Sequence, residues 1–449
     1  MKILIDIQSM QTSSRTRGIG HYTLSLIKEM ILRDDIEVVL LLNDYCKESA
    51  EVVFKELDGY YAIDKIKIFK APHNVSCLLG VDRLRKAASI LRDYYINALN
   101  PDFVLITSLF EGATEDFVCD IKENRNYKVG VIGYDLIPLY NPNLHLPTEN
   151  MKEWYYEKLA EAKKADVIFS ISESSKNEFL ELGGISEKNI VNISSAGDSD
   201  YKALEVHERI DLSSRFLIHN EFILYSGACD ERKNLKGLLS AYSNLDQDIK
   251  NRLDVVLVGK YSENDIKNLR KFVTSKGIKS EKIIFTGFIS NKELQNLYTQ
   301  CFVFIFPSFH EGFGLPVLEA MMCDAVTICS NVSSLPEVIG LEEATFSPDN
   351  ISSITEKLKE AIVDESFRNR LKDNARKRAK IFSWVKTTDL LLNKAKDLCE
   401  KNVKTKGSNV YSQDELIRSI FVESGCEYLD KEIRIIANCI ADNETSLAL

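Results

Sequence analysis

The sequence predicts an α/β protein of two successive Rossmann-like lobes with a ligand cleft between them, plus a small C-terminal helical appendage. Three observations predict it. Short apolar runs alternate with helical patterns through both halves of the chain, a looser polar segment separates the halves, and a second polar stretch precedes the last helices.

In the first half, Ile3–Ile7, Val38–Leu42, Phe103–Ile106, Val129–Ile132 and Val167–Ile171 read as strands. Thr23–Leu32, Asp82–Asn97 and Met151–Lys163 read as helices between them. Strands that alternate with helices form parallel sheets covered on both faces. The segment from Ile190 to Asp211 is rich in Ser, Asp and Glu and reads as the boundary. The second half repeats the plan, with strands at Phe222–Tyr225, Val255–Val258, Ile283–Phe285, Val303–Phe306 and Val326–Ile328. Helices fall at Leu235–Leu245, Glu263–Lys276, Lys292–Gln300 and Pro316–Met322. Beyond Phe382-Ser383-Trp384 comes a long polar helix, then the linker-like run 404–409. Ser412 and Glu415 form a capping-box pattern ahead of Leu416, Ile417, Ile420 and Phe421. Ile433, Ile435, Ile436 and Ile440 mark a last helix. This divides the chain into a first lobe at 1–200, a second at 201–403 that includes the long helix, and an appendage at 404–449. The appendage is too short for a core of its own and needs a surface to dock on: the body of the chain, a second copy or a further domain.

Composition narrows the function. The chain has 449 residues, 45% hydrophobic and 28% charged, with a net charge of −10. Such an acidic chain argues against nucleic acid as a partner. The ten cysteines include no C-x-x-C pair, which reads as reduced thiols and gives no zinc site. The start Met-Lys-Ile-Leu-Ile-Asp is a strand rather than a signal sequence, and no apolar run approaches the roughly 20 residues of a membrane span. The expected location is the cytoplasm, or its membrane surface. Val81, Leu84, Ala88 and Leu91 fall near one helical face of Val81–Tyr95, with Arg83, Arg85, Lys86 and Arg92 around it. Two arrangements fit: a helix packed on the first sheet with a basic rim, or a basic amphipathic helix resting on an anionic membrane near a lipid-linked acceptor.

The chemistry concentrates in the second half. In Pro307-Ser308-Phe309-His310-Glu311-Gly312-Phe313-Gly314-Leu315-Pro316-Val317-Leu318-Glu319 an apolar strand runs into a glycine turn and a helix that opens near Pro316. Gly312 and Gly314 allow close approach of backbone to a ligand. Free N–H groups at the helix start suit phosphate or sugar hydroxyls. Glu311 and Glu319 suit a ligand with two polyol regions, a ribose and a hexose. Either glutamate alone would read as a solvated surface residue. Arg232 and Lys233, in Gly227-Ala228-Cys229-Asp230-Glu231-Arg232-Lys233-Asn234, precede another helix and could clamp a diphosphate. In the first half, Gly18 and Gly20 sit in a loop ahead of a helix, a weak anion-site pattern. Ser172-Glu173-Ser174-Ser175 reads as a serine turn or a simple helix cap.

The string from Glu311 to Glu319 resembles the E-x7-E signature of glycosyltransferase family 4, a retaining family of the GT-B fold. The Gly227–Asn234 segment is similar to that family's phosphate-binding motif, Ser330–Val338 resembles its strand-to-loop segment, and Phe382–Trp384 resembles the start of its final helix, which crosses back to the first lobe. The likeness extends over roughly residues 1–400. It implies that Glu311, with Gly312, Phe313, Gly314 and Leu315, meets the donor sugar. It also implies that Glu319 meets the ribose, that Arg232 and Lys233 bind the diphosphate, and that the Gly18–Gly20 loop faces it. Two departures stand out: Cys323-Asp324-Ala325-Val326 lacks the family's Gly-x-Pro turn, and Tyr134-Asp135-Leu136-Ile137-Pro138 has tyrosine where the family has histidine. Tyr134 would then supply a hydroxyl and Asp135 a carboxylate to the catalytic centre. The Tyr134 variant and the helical tail look like modules of multi-domain bacterial polysaccharide mannosyltransferases, so the implied donor is GDP-mannose and the acceptor a growing or lipid-linked glycan. The sugar nucleotide is a substrate, and no separate cofactor or metal is called for. Two rivals remain: a metal-dependent GT-A transferase using Asp198-Ser199-Asp200, and a nucleotide-sugar-binding module without catalysis.

Overall fold

All strand pairings among the described residues are parallel, and they fall into two sheets. The computed structural model describes residues 1–45, 47–400 and 412–448. The linker expected at 404–409 lies outside them.

The first sheet contains β1 (Lys2–Asp6), β2 (Glu37–Asn43), β3 (Ile66–Phe69), β4 (Phe103–Ile106), β5 (Lys128–Gly133), β6 (Val167–Ser170) and β7 (Ile190–Asn192), in the order β3-β2-β1-β4-β5-β6-β7. The second contains β8 (Glu221–Ser226), β9 (Leu253–Val258), β10 (Ile283–Gly287), β11 (Val303–Phe306), β12 (Thr327–Ser330) and β13 (Thr345–Phe346), in the order β10-β9-β8-β11-β12-β13. Each winds outward in one direction, then returns past its first strand to continue on the other side. That reversal is the doubly wound arrangement. The strands read as near-continuous apolar runs because helices cover both faces of a parallel sheet. All of β11, Val-Phe-Ile-Phe, is buried for this reason.

The chain divides into two units: 1–171, 176–193 and 384–449 in one, and 172–175 and 194–383 in the other. This corrects the expected boundaries. The polar segment read as a linker opens with strand β7, so the chain leaves the first unit after Ile193 and rejoins it at Trp384. The long helix Trp384–Glu400, counted with the second stretch of sequence but expected to cross back to the first lobe, packs within the first unit. Its Trp384 ring meets Tyr22 edge-on at 4.9 Å, and Asp389 pairs with Arg33 at 2.9 Å.

The appendage is part of the first unit rather than a separate body. Leu416, Ile420, Ile436 and Ile440 join the core formed with Leu84, Ala88, Leu91 and Tyr95. Arg83 makes a two-pronged contact with Glu432 at 2.7 and 2.8 Å, and the Asn443 amide exchanges hydrogen bonds with the Lys70 backbone just beyond β3. The same packing overturns the membrane reading of Val81–Tyr95. In the helix Asp82–Leu99 the apolar face is core, Arg92 is buried against Asp6, and Arg85 and Lys86 pair with Asp82. That leaves no apolar face for lipid. No helix among the described residues is long and apolar enough to cross a membrane.

Candidate functional site

In the second sheet β8 and β11 are neighbours, and the winding direction reverses between them. Loops leaving the carboxyl ends of two such strands flank one crevice, where doubly wound sheets bind ligands. One loop carries Arg232 and Lys233, the other Glu311.

The loop after β8 is set by its caps. The Asp230 carboxylate accepts from Lys233 N at 3.2 Å, closing a tight turn over Glu231–Lys233. Asn234 then takes a left-handed conformation (φ 54°) and caps the helix Leu235–Ser243 by accepting from Gly237 N. Asparagine tolerates that conformation better than most residues. The loop after β11 is held by hydroxyls. Ser333 Oγ accepts from Glu311 N at 2.9 Å, while Ser334 Oγ contacts the carbonyls of Glu311 and Phe313 at 2.9 and 2.7 Å. Ser172 and Ser175 reach the Gly312 carbonyl at 2.6 and 3.0 Å. Gly314 has φ 102°, and a Cβ there would lie 2.6 Å from Leu335 Cδ2, so only glycine fits. The next helix runs Leu315–Met322 and begins one residue earlier than expected, with Pro316 second.

The two loops meet through charge. Lys233 Nζ lies 2.7 Å from Glu311 Oε1, Arg232 Nη1 lies 2.9 Å from Glu311 Oε2, and Ser308 Oγ donates to Glu311 Oε1 at 2.6 Å. Arg232 also donates to the His310 carbonyl. Glu311 is only 8% exposed. Burial, the largest single influence, pushes its carboxyl up, but Lys233 and Arg232 with the bonds from Lys233 and Ser308 outweigh it and hold it below the usual range. Glu311 is therefore not a solvated surface residue: it is the counter-ion of the basic pair. Phe313 is buried and meets Phe382 edge-on, whereas Leu315 is half-buried at the helix start.

Glu319 sits one turn into the same helix in a different setting. Its Oε2 accepts from the Tyr298 hydroxyl at 3.1 Å, and among the described residues no cation is paired with it. Burial pushes its carboxyl up to about 7, against the hydrogen bond from Tyr298 and with help from Asp198. The two glutamates expected to share one ligand thus differ in charge state near neutral pH.

The first unit brings Tyr134 to the start of the helix Gly18–Ile31, so Gly18 and Gly20 lie in the first turn of that helix rather than in a loop ahead of it. The Tyr134 hydroxyl lies 3.4 Å from both Thr23 Oγ1 and the Ile19 carbonyl, its ring packs edge-on against Tyr22, and burial pushes its ionisation far up. It stays protonated. Asp135 Oδ1 accepts from Ile137 N at 3.2 Å, at the first residue of the short helix Ile137–Tyr140. Gly20 has a packing reason to be glycine: a Cβ would lie 2.0 Å from the Arg15 carbonyl oxygen. A Cβ on Gly18 would meet nothing within 4 Å, so Gly18 alone offers open space to a ligand.

Sequence reasoning missed Tyr298, Ser308, Ser333 and Ser334 as site residues. Ser308, three residues before Glu311 on the same turn, carried a local signal; Tyr298 carried none. The serine turn at Ser172–Ser175 both caps its own helix and braces Gly312. Asp198 accepts from Asp200 N at 3.1 Å, closing a turn. Among the described residues no group of three or more His, Cys, Asp or Glu side chains is poised around one point.

Residues 213–378 match the model of the glycosyl transferases group 1 family. The chain is 35% identical to the serotype-specific mannosyltransferase WbdA of Escherichia coli over 92% of its own length, and spans 50% of that relative. It is 29% identical to O-antigen chain mannosyltransferase B of Escherichia coli, covering 84% of this chain and 95% of that one. Among solved structures it is similar to Anabaena Alr3699/HepE in complex with UDP and glucose, with TM-score 0.66 and 16% identity over 88% of this chain and 100% of that one. It also resembles WaaG, a glycosyltransferase involved in lipopolysaccharide biosynthesis, with TM-score 0.59 and 11% identity over 90% of this chain and 100% of that one. These likenesses, with two doubly wound units, make the fold two-lobed GT-B, and overturn the GT-A alternative.

Proposed function

We propose that this chain is a retaining glycosyltransferase that moves mannose from GDP-mannose onto a growing bacterial cell-surface polysaccharide or lipid-linked glycan. The observation that carries the reading is the Lys233–Glu311–Arg232 cluster at the switch point of the second sheet. It lies inside the matched residues 213–378, and the mannosyltransferase relatives supply the sugar.

The arrangement suggests a sequence of events. The donor diphosphate takes over Arg232 and Lys233 from Glu311, exchanging one set of charge-assisted bonds for another. Glu311, released from its counter-ions, accepts from hydroxyls of the donor sugar. Glu319 accepts from the ribose. As the bond from the anomeric carbon to the phosphate oxygen breaks, negative charge gathers on the departing diphosphate, where Arg232 and Lys233 stabilise it. The acceptor oxygen bonds to the anomeric carbon from the same face, and its proton passes to the departing phosphate. Retention through a double displacement would require a carboxylate against the anomeric carbon. With Glu311 engaged by donor-sugar hydroxyls, same-face attack assisted by the departing phosphate needs no such carboxylate.

The purified protein, given a panel of sugar nucleotides and a short mannan acceptor, should release GDP from GDP-mannose and make an α-linked product by NMR. Faster turnover of another donor would overturn the mannose assignment. Binding without turnover of any donor would make the chain a nucleotide-sugar-binding module.

A further inference from the structure

Tyr298 lies on the helix Asn291–Gln300, which leads into β11, and no sequence pattern marks it. Its side chain is fully buried, yet its hydroxyl touches two polar groups. It donates to Glu319 Oε2 at 3.1 Å and lies 2.8 Å from Ser226 Oγ. With its one proton committed to the carboxylate, the phenol must accept from Ser226. Ser226 is the last residue of β8, next to the loop that carries Arg232 and Lys233. The ring is fixed by edge-on contacts with Tyr201 at 6.0 Å and Phe304 at 5.3 Å. Among the described residues this is the only hydrogen bond to the carboxylate of the half-buried Glu319, and it engages Oε2 and not Oε1.

We propose that Tyr298 is a positioning residue for donor binding, holding one oxygen of Glu319 so that the other is presented to the ribose hydroxyls of a nucleoside diphosphate. The inference rests on the reading of Glu319 as the ribose acceptor. A glutamate side chain has three rotatable bonds, and an unanchored carboxylate must lose that freedom on binding. The chain Ser226–Tyr298–Glu319 removes that cost beforehand and ties the ribose end of the site to the strand that launches the diphosphate loop. The other ionisable groups facing Glu319 are Tyr201, Asp198 and Cys323. None is a cation, so the phenol is the group that favours the ionised carboxylate. Tyr298→Phe keeps the ring contacts and removes only the hydroxyl.

The test is a binding titration at pH 8 with GDP and UDP, each paired with its 2′,3′-dideoxy counterpart. Wild-type protein should prefer the ribose form by about tenfold or more, as for hydrogen bonds to a charged group. In Tyr298→Phe the preference should fall below about threefold, with binding of the dideoxy form unchanged. The pH midpoint for GDP binding should also move upward. A preference kept at the wild-type ratio, or equal weakening of both forms, would overturn the positioning role. If wild-type protein shows no ribose preference, or Glu319→Ala keeps it, the ribose reading of Glu319 fails first. Should Tyr298→Phe not fold by thermal melting, Ser226→Ala, which leaves the phenol without its donor, should lower the preference at least twofold; no change there would equally overturn the proposal.

Discussion

At the scale of single residues, the candidate site is an ion cluster in which two cations share one buried carboxylate. Glu311 holds Arg232 and Lys233 in place, with side-chain exposures of 21% and 12% for the cations. Replacing it with alanine removes the carboxylate that both cations share, while Arg232 keeps Asp230 at 3.8 Å. We expect Glu311→Ala to reduce kcat to less than about a tenth, a barrier change of roughly 1.4 kcal/mol or more. The loss of stability should stay below the ~3–5 kcal/mol of a fully buried pair, because the cations are partly exposed. Steady-state kinetics and a thermal melt check the two parts. Arg232→Ala and Lys233→Ala should each weaken nucleoside-diphosphate binding by calorimetry, and EDTA should not imitate either. Glu319 supplies a pH signature. Its carboxyl is raised to about 7, so it is protonated below that and ionised above it. Ribose hydroxyls donate best to the ionised form, so donor affinity should be full near pH 8 and fall as pH drops through about 7 toward 6. Glu319→Gln should flatten this profile; an unchanged profile would assign the titration to another group.

At the scale of elements, what was legible depended on how local its cause was. The central strands were readable because burial on both faces makes them continuous apolar runs. Strands β7 and β13 were not, because they are only three and two residues long, and β3 was not, because Lys67 interrupts its apolar run. The loop bearing Glu311 was readable through its glycines, one of which has a φ that other residues avoid. The hydroxyls that hold it come from segments distant in sequence, so no local pattern announced them. The appendage was visible as helices, but its place was not: an amphipathic helix displays an apolar face without naming its partner. Because Leu416, Ile420, Ile436 and Ile440 complete the core around Leu84 and Tyr95, truncation after Lys404 should lower the melting temperature. Each such side chain contributes about 1.5–3 kcal/mol when fully buried, so the loss should be several degrees at least. The truncated protein holds every residue of the candidate site and should still turn over donor on a short soluble acceptor at low temperature. Loss of turnover in a protein that still melts cooperatively would place the appendage in the active site.

At the scale of the whole molecule, the sequence halves and the structural units do not coincide. The chain gives Ser172–Ser175 to the second unit before the first is finished, and returns from 384 onward to the first. A linear division at a polar segment cannot detect such exchanges, because they are defined by contacts rather than composition. Their consequence is functional: the Gly312 carbonyl, between Glu311 and the helix that carries Glu319, is held by hydroxyls about 140 residues earlier in the chain. A buried carbonyl that loses its donors costs about 1–3 kcal/mol, and the glycine turn can lower that cost by shifting toward water. Such a shift would carry Glu311 away from Lys233. The double variant Ser172→Ala, Ser175→Ala should therefore raise the donor KM and lower kcat together, while the melting temperature changes by only a few degrees. Each single variant should do less, since either hydroxyl can serve the carbonyl when the other is absent. A double variant with wild-type kinetics and a lowered melting temperature would confine these serines to capping their own helix, and the glycine turn would then owe its position to Ser333 and Ser334 alone.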